Sequence, residues 1–182
     1  SNGAGYLDKL YNNISCTGGN CLPNGATPIT VTSGSTTAGI NFALSLGSKI
    51  SGNIKDATTM ANLQSITVTV IDQEGNTVAT AVTNAAGNYT TNQGFPAGTY
   101  YARTTNNTTG YINQIYNGAP CVVCTLGSGT PISVPAATTV TGINFILTPG
   151  GRISGTVTNA ATSAPLSGIQ VQIVHASGIS LA

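Results

Sequence analysis

Apolar and polar residues alternate along much of this chain with a period of two. Ile66, Val68 and Val70 alternate with Thr67, Thr69 and Ile71, and Ile169, Val171 and Ile173 alternate with Gln170, Gln172 and Val174. Ile40, Phe42, Leu44 and Leu46 alternate with Asn41, Ala43 and Ser45, and Ile143, Phe145 and Leu147 repeat that pattern. Successive side chains of an extended strand point to opposite faces, so this alternation predicts sheets with one face in a core and one toward solvent. Turn formers separate the runs: Asp72-Gln73-Glu74-Gly75-Asn76, Ala86-Gly87-Asn88, Pro96-Ala97-Gly98 and Pro149-Gly150-Gly151. No stretch carries apolar residues at helical spacing for long enough to predict a helix. Short strands with regular turns predict a β-sandwich. Strands are expected at Ile50–Lys55, Ser65–Asp72, Thr77–Thr83, Gly87–Thr91, Thr99–Thr105, Tyr111–Tyr116, Thr130–Val134 and Thr141–Leu147.

The pattern also recurs on a longer scale. Gly5-Tyr6-Leu7 returns as Gly110-Tyr111-Ile112, Gly39-Ile40-Asn41-Phe42 as Gly142-Ile143-Asn144-Phe145, and Lys49-Ile50-Ser51-Gly52 as Arg152-Ile153-Ser154-Gly155. The period of about 104 residues is domain-sized, which predicts tandem small domains rather than a solenoid. The expected partition is the C-terminal half of one repeat over residues 1–48, a complete repeat over 49–151, and the N-terminal half of another over 152–182. Both ends then fall inside a repeat, whether Ser1 and Ala182 are processed termini or not. A half-domain cannot bury its apolar face alone, so an assembly of chains or a longer parent chain is expected.

Composition narrows the function. Only 5% of the 182 residues are charged and the net charge is +1, against about 25% charged in an ordinary soluble protein. No basic patch exists to hold a phosphate backbone, which excludes nucleic acid as a partner. No apolar run reaches the roughly 18 residues that span a bilayer. Such a neutral, Thr-, Ser- and Asn-rich surface points to a sugar coat or to self-association. Candidate N-glycosylation sites are Asn13, Asn88, Asn106 and Asn107, each followed two residues on by Ser or Thr. In a chain this rich in Asn and Thr, such matches also arise by chance.

Four cysteines fall into two repeat-related pairs: Cys16 matches Cys121 and Cys21 matches Cys124. The spacing within the pair changes while the pair is kept, which favours local disulfides Cys16–Cys21 and Cys121–Cys124. Zinc would need four ligands, and the one histidine, His175, belongs to the other half-repeat. Cys121-Val122-Val123-Cys124 has redox spacing, but no helix follows to depress a thiol pKa. Closing such short loops would stabilise by about 2 kcal/mol each on the chain-entropy model, and disulfides place the chain outside the cytosol. Asp72 and Glu74 are near enough for acid/base work or a weak calcium site, yet both sit in a Gly-Asn turn where acidic residues are ordinary turn formers. His175 and Asp72 belong to different repeats, so no Ser-His-Asp set assembles. The repeat-equivalent tyrosines, Tyr6 with Tyr111 and Tyr11 with Tyr116, read as core or corner positions. Tyr100-Tyr101 puts one ring on each face of a strand, making the outward one a candidate contact. No catalytic, cofactor or metal site is expected.

The order of Ile50-Ser51-Gly52-Asn53-Ile54, Leu63 through Val70, Glu74-Gly75-Asn76, Gly87-Asn88-Tyr89 and Phe95-Pro96-Ala97-Gly98-Thr99-Tyr100 resembles that of carboxypeptidase regulatory-like domains. Ile153-Ser154-Gly155-Thr156-Val157-Thr158, Ala164-Pro165-Leu166 and Ile169-Gln170-Val171 restart the same order. The resemblance implies tandem Ig-like or transthyretin-like sandwiches, similar in style to the Cna-B stalk domains of surface adhesins. Residues Tyr111 to Cys124 and Gly142 to Leu147 look like repeats of large secreted bacterial proteins. It further implies a non-catalytic spacer, stalk or stability role. The leading expectation is a subunit of an extracellular, pilus-like fibre whose half-domains are completed by a neighbour. Its partners would be further copies of itself and covalent glycans. The alternatives are a stalk of a long adhesin-type repeat protein, or a non-catalytic glycan-binding accessory module.

Overall fold

The computed structural model describes residues 4–16, 21, 24–105, 110–122 and 124–174. Asn106, Asn107 and His175 lie outside them. Ser1–Pro149 form one compact unit and Gly150–Ala182 a second, parted at the Pro149-Gly150-Gly151 run. Residues 4–48 thus belong to the same compact unit as 49–149.

Among the described residues the regular structure is strand, apart from a single 3-10 turn at Leu126–Ser128. In chain order the strands are β1 (Lys9–Leu10), β2 (Ile14–Ser15), β3 (Lys49–Asp56), β4 (Thr67–Ile71), β5 (Thr77–Val82) and β6 (Asn88–Thr90), then β7 (Gly98–Thr105), β8 (Ile132–Val134), β9 (Thr139–Val140) and β10 (Phe145–Leu147). β1 and β2 make a small antiparallel hairpin. One main sheet runs β10-β3-β6, with β9 also on β3, and the other runs β5-β4-β7-β8. β3 pairs antiparallel with β6 but parallel with both β9 and β10.

The two sheets close on one core. Ile50 and Ile54 of β3, Tyr89 of β6, and Phe145 and Leu147 of β10 join Val68 and Val70 of β4, Ala79 and Ala81 of β5, Ala102 of β7, and Ile132 and Val134 of β8. In β7, β8 and β10 alternate residues are the buried ones, because a strand sends alternate side chains inward, whereas β4 is covered on both faces from Val68 to Ile71. Burying these β-branched and aromatic side chains stabilises by roughly 25 cal/mol per Å² removed from water. The Tyr89 hydroxyl, sunk in that core, donates to the Ile143 carbonyl at 2.5 Å. No helix among the described residues is long and apolar enough to cross a membrane.

Two expected strands and two further alternating runs differ. The run Tyr111–Tyr116 makes isolated bridges, Tyr111 with Pro149 and Ile115 with Arg103, because β8 covers only the first half of β7 and this segment covers the rest. Of the run Thr141–Leu147 only Phe145–Leu147 is strand, as β10; β9 ends just before the run at Val140, and Gly142, with φ 80°, makes a local turn between the two. The alternating runs Ile40–Leu46 and Ile169–Val174 join no strand ladder beyond the Leu46 bridge to Tyr6 and one at Val174. Period-two alternation says which face a side chain takes. A strand also needs a continuous neighbour for its N–H and C=O groups, and among the described residues no strand runs along either of these runs.

Candidate functional site

The N-terminal segment builds the local structure of its counterpart in the complete sandwich. Leu7 N donates to Ser45 O at 2.8 Å as Ile112 N donates to Thr148 O at 2.9 Å. Cys16 N bonds Asp8 O as Cys121 N bonds Asn113 O. Tyr11 meets Phe42 edge-on at 6.3 Å, and Tyr116 meets Phe145 at 6.1 Å. Gly39 (φ 81°) and Gly142 (φ 80°) make the same turn, closed by Asn41 N to Gly39 O at 2.9 Å and Asn144 N to Gly142 O at 3.0 Å.

Among its described residues, what the segment lacks is a place in either main sheet. Ile132, Val134, Phe145 and Leu147 are buried, whereas their equivalents Ile29, Val31, Phe42 and Leu44 are exposed, Val31 to 70% against 2% for Val134. The sandwich lays β9 and β10 along β3, with Phe145 opposite Ile54 and Val140 opposite Ile50. Asn144 Oδ1 also accepts from the Asn53 N–H at 2.8 Å.

The C-terminal unit shows the converse. Asn159 N bonds Ala164 O as Asp56 N bonds Ala61 O, and Leu166 N bonds Val157 O as Leu63 N bonds Ile54 O. Asn159 Oδ1 accepts from the N–H groups of Ala161 and Thr162, as Asp56 Oδ1 accepts from Thr58 and Thr59. Both loops pass through a left-handed residue, Ser163 (φ 56°) and Met60 (φ 57°). Yet Ile153, equivalent to the wholly buried Ile50, is 78% exposed, and Leu166, Ile169, Val171 and Val174 are exposed too. Ile153, Gly155, Val157, Val171 and Ile173 line an open apolar groove of about 530 Å³. An exposed apolar face of this kind marks an interaction surface.

The two related glycines stand in opposite surroundings. A Cβ on Gly52 would lie 2.0 Å from the Ile143 carbonyl oxygen, so β3 and the Gly142 turn approach only because position 52 has no side chain. A Cβ on Gly155 would meet nothing within 4 Å.

The other residues singled out in the sequence are dispersed. Cys16–Cys21 and Cys121–Cys124 are disulfides with Cα atoms 4.6 and 5.2 Å apart. The second is tied to β7 by Arg103 Nη1 donating to Cys124 O at 3.3 Å. Asn13 is exposed next to β1, and Asn88 is exposed on β6, where its Oδ1 accepts from Asn53 Nδ2 at 2.8 Å. Asp72 closes its own turn, accepting from Asn76 N at 2.7 Å and Asn76 Nδ2 at 3.0 Å, while Glu74 points to solvent. Among the described residues no three His, Cys, Asp or Glu side chains gather around one point. Tyr100 is the inward ring, stacked edge-on with Phe95 and donating to Pro96 O at 2.8 Å; burial, then the nearby Asp72, raises its pKa. Tyr101 is the outward ring and is half-buried.

One polar cluster was missed by sequence reasoning. Tyr111 Oη donates to Asp56 Oδ2 at 2.6 Å, and with the N–H groups of Thr59 and Thr58 it holds the Asp56 carboxyl at about 2, below the usual 3.8. The same bond raises the Tyr111 hydroxyl. The two residues are far apart in sequence, so spacing carries no signal of the pair.

Residues 48–122 match the SpaA prealbumin-like fold domain. The fold is a transthyretin-like β-sandwich. No curated protein matches the chain in sequence. Among solved structures, the Bacillus anthracis TIE protein is 15% identical with a TM-score of 0.40, over 55% of this chain and 16% of that one. The group B streptococcus pilus 2b backbone protein is 17% identical with a TM-score of 0.36, over 69% and 54%. The Klebsiella pneumoniae 5-hydroxyisourate hydrolase is 25% identical with a TM-score of 0.36, over 57% and 92%. This chain therefore spans about a sixth of the TIE protein.

Proposed function

We propose that this chain is a non-enzymatic structural segment of an extracellular, pilus-like fibre, in which copies join head to tail by completing one another's partial sandwiches. The observation that carries the reading is that residues 5–46 and 153–174 reproduce local hydrogen bonds of the sandwich yet leave apolar side chains exposed. One segment is the back of a sandwich and the other the front, so the two ends are complementary rather than alike. A contact of this kind does not close on itself and propagates into a filament. Two disulfides suit an oxidising, extracellular setting, and the SpaA match supports a structural module of a surface protein. Exposed Asn13 and Asn88 are the described positions at which covalent glycans would attach. A second reading, one stretch of a long tandem-repeat stalk, is favoured by the same repeat.

Electron microscopy of the protein from its source, beside the same chain expressed alone, tests this. Ordered fibres with an axial repeat of one to two small domains are expected from both. Dispersed monomers or flexible strings of beads would overturn the fibre and leave the stalk. Mass spectrometry of the termini in the source material separates a subunit from a longer chain.

A further inference from the structure

The complete sandwich supplies a template for what each half-segment lacks. Resting on the fibre reading above, we propose that residues 36–44 of a second copy lie parallel to residues 152–159, as β9 and β10 lie parallel to β3. The register is then fixed: Thr37 opposite Ile153, Phe42 opposite Val157 and Ala43 opposite Thr158, after Val140 opposite Ile50, Phe145 opposite Ile54 and Ile146 opposite Lys55.

Three independent features fit this occupant. Phe42 and Leu44 are exposed to 50% and 40%, where Phe145 and Leu147 are buried; they are the side chains of a size and spacing to fill the groove beside Ile153 and Val157. The Gly39 turn already has the geometry of the Gly142 turn, so Asn41 Oδ1 is presented to the Thr156 N–H as Asn144 Oδ1 is to the Asn53 N–H. Gly155 leaves open the place that Gly52 leaves for the Ile143 carbonyl, and in the seam that place takes the Ile40 carbonyl.

The seam is one ladder rather than a whole sandwich. In the sandwich β8 pairs with β7 and not with β3 or β4. Residues 29–31, the counterpart of β8, therefore gain no ladder partner from the 152–174 segment. The binding mode is parallel strand addition: backbone hydrogen bonds provide the affinity, and Phe42 and Leu44 in their groove provide the register.

The test uses the full chain. With Ala43→Cys and Thr158→Cys together, oxidation during assembly should link copies into a ladder of covalent multimers. With Ala43→Cys and Thr156→Cys, two residues out of register on the same face, it should not. Gly155→Val should retain the circular dichroism and melting of the dispersed chain and lose assembly. If wild-type fibres form but both pairs cross-link alike, or Gly155→Val assembles normally, the seam is wrong and the fibre reading stands. A cross-link confined to monomer mass overturns the seam in favour of closure within one chain. If the wild-type chain forms no fibres or oligomers, seam and fibre fail together.

Discussion

At the scale of single residues, Asp56 is the group whose chemistry reaches furthest. Its side chain is nearly inaccessible, but it is covered by its own hydrogen-bond partners rather than by depth in the core. The Tyr111 hydroxyl and the Thr59 and Thr58 N–H groups favour the ionised form and outweigh burial, which opposes it. Because the folded pKa is depressed from 3.8 to about 2, its stabilising effect is complete above the unfolded value and is lost as pH falls through that window. The variant Asp56→Asn should keep the turn, since Asn159 holds the equivalent loop with its amide oxygen. The amide nitrogen introduced by this substitution can donate to Tyr111, whose hydroxyl accepts as well as donates. Melting temperatures should then fall less steeply between pH 4 and pH 2 in Asp56→Asn than in the wild type. Equal slopes would mean that the carboxylate is not what Tyr111 stabilises.

At the scale of elements, Gly52 and Gly155 separate what a strand needs from what its sequence says. In β3 the absent Cβ lets the Ile143 carbonyl approach, so Gly52→Ala must push the Gly142 turn off the sheet. It should cost on the order of 3 kcal/mol in chemical denaturation. Gly155→Ala in dispersed chains should stay within about 0.5 kcal/mol of wild type, as an open surface position does. Comparable losses at both sites would mean that Gly155 is already packed. The same contrast explains how much of the fold was legible. β3, β4, β5, β6 and β7 appear where alternation and turn residues put them, because each has a neighbour in the same repeat. Ile40–Leu46 and Ile169–Val174 carry equally clear alternation and form no ladder, since period reports the face and not the partner. The Gly142 turn was visible as a glycine but not as a break, and the Asp56–Tyr111 pair left no trace in spacing.

At the scale of the whole molecule, the scarcity of charge decides how an assembly would respond to its medium. Five basic and four acidic side chains are spread over 182 residues. Residues 36–44 contain no charge, and residues 152–159 contain only Arg152, which the seam sets opposite Thr36. Salt screens exposed charges over about 8–10 Å at 0.1–0.15 M, but a seam of apolar side chains and backbone hydrogen bonds gives screening little to act on. Excluded salts such as sulfate strengthen apolar burial, while urea solvates both apolar and peptide groups. Fibres should therefore persist from about 0.05 to 1 M sodium chloride, gain stability in sulfate, and disperse in urea. Sedimentation of fibres across such a salt series checks this. Dissolution in sodium chloride alone would show that charged contacts hold the joint, and the nine charged side chains would then be the place to look for it.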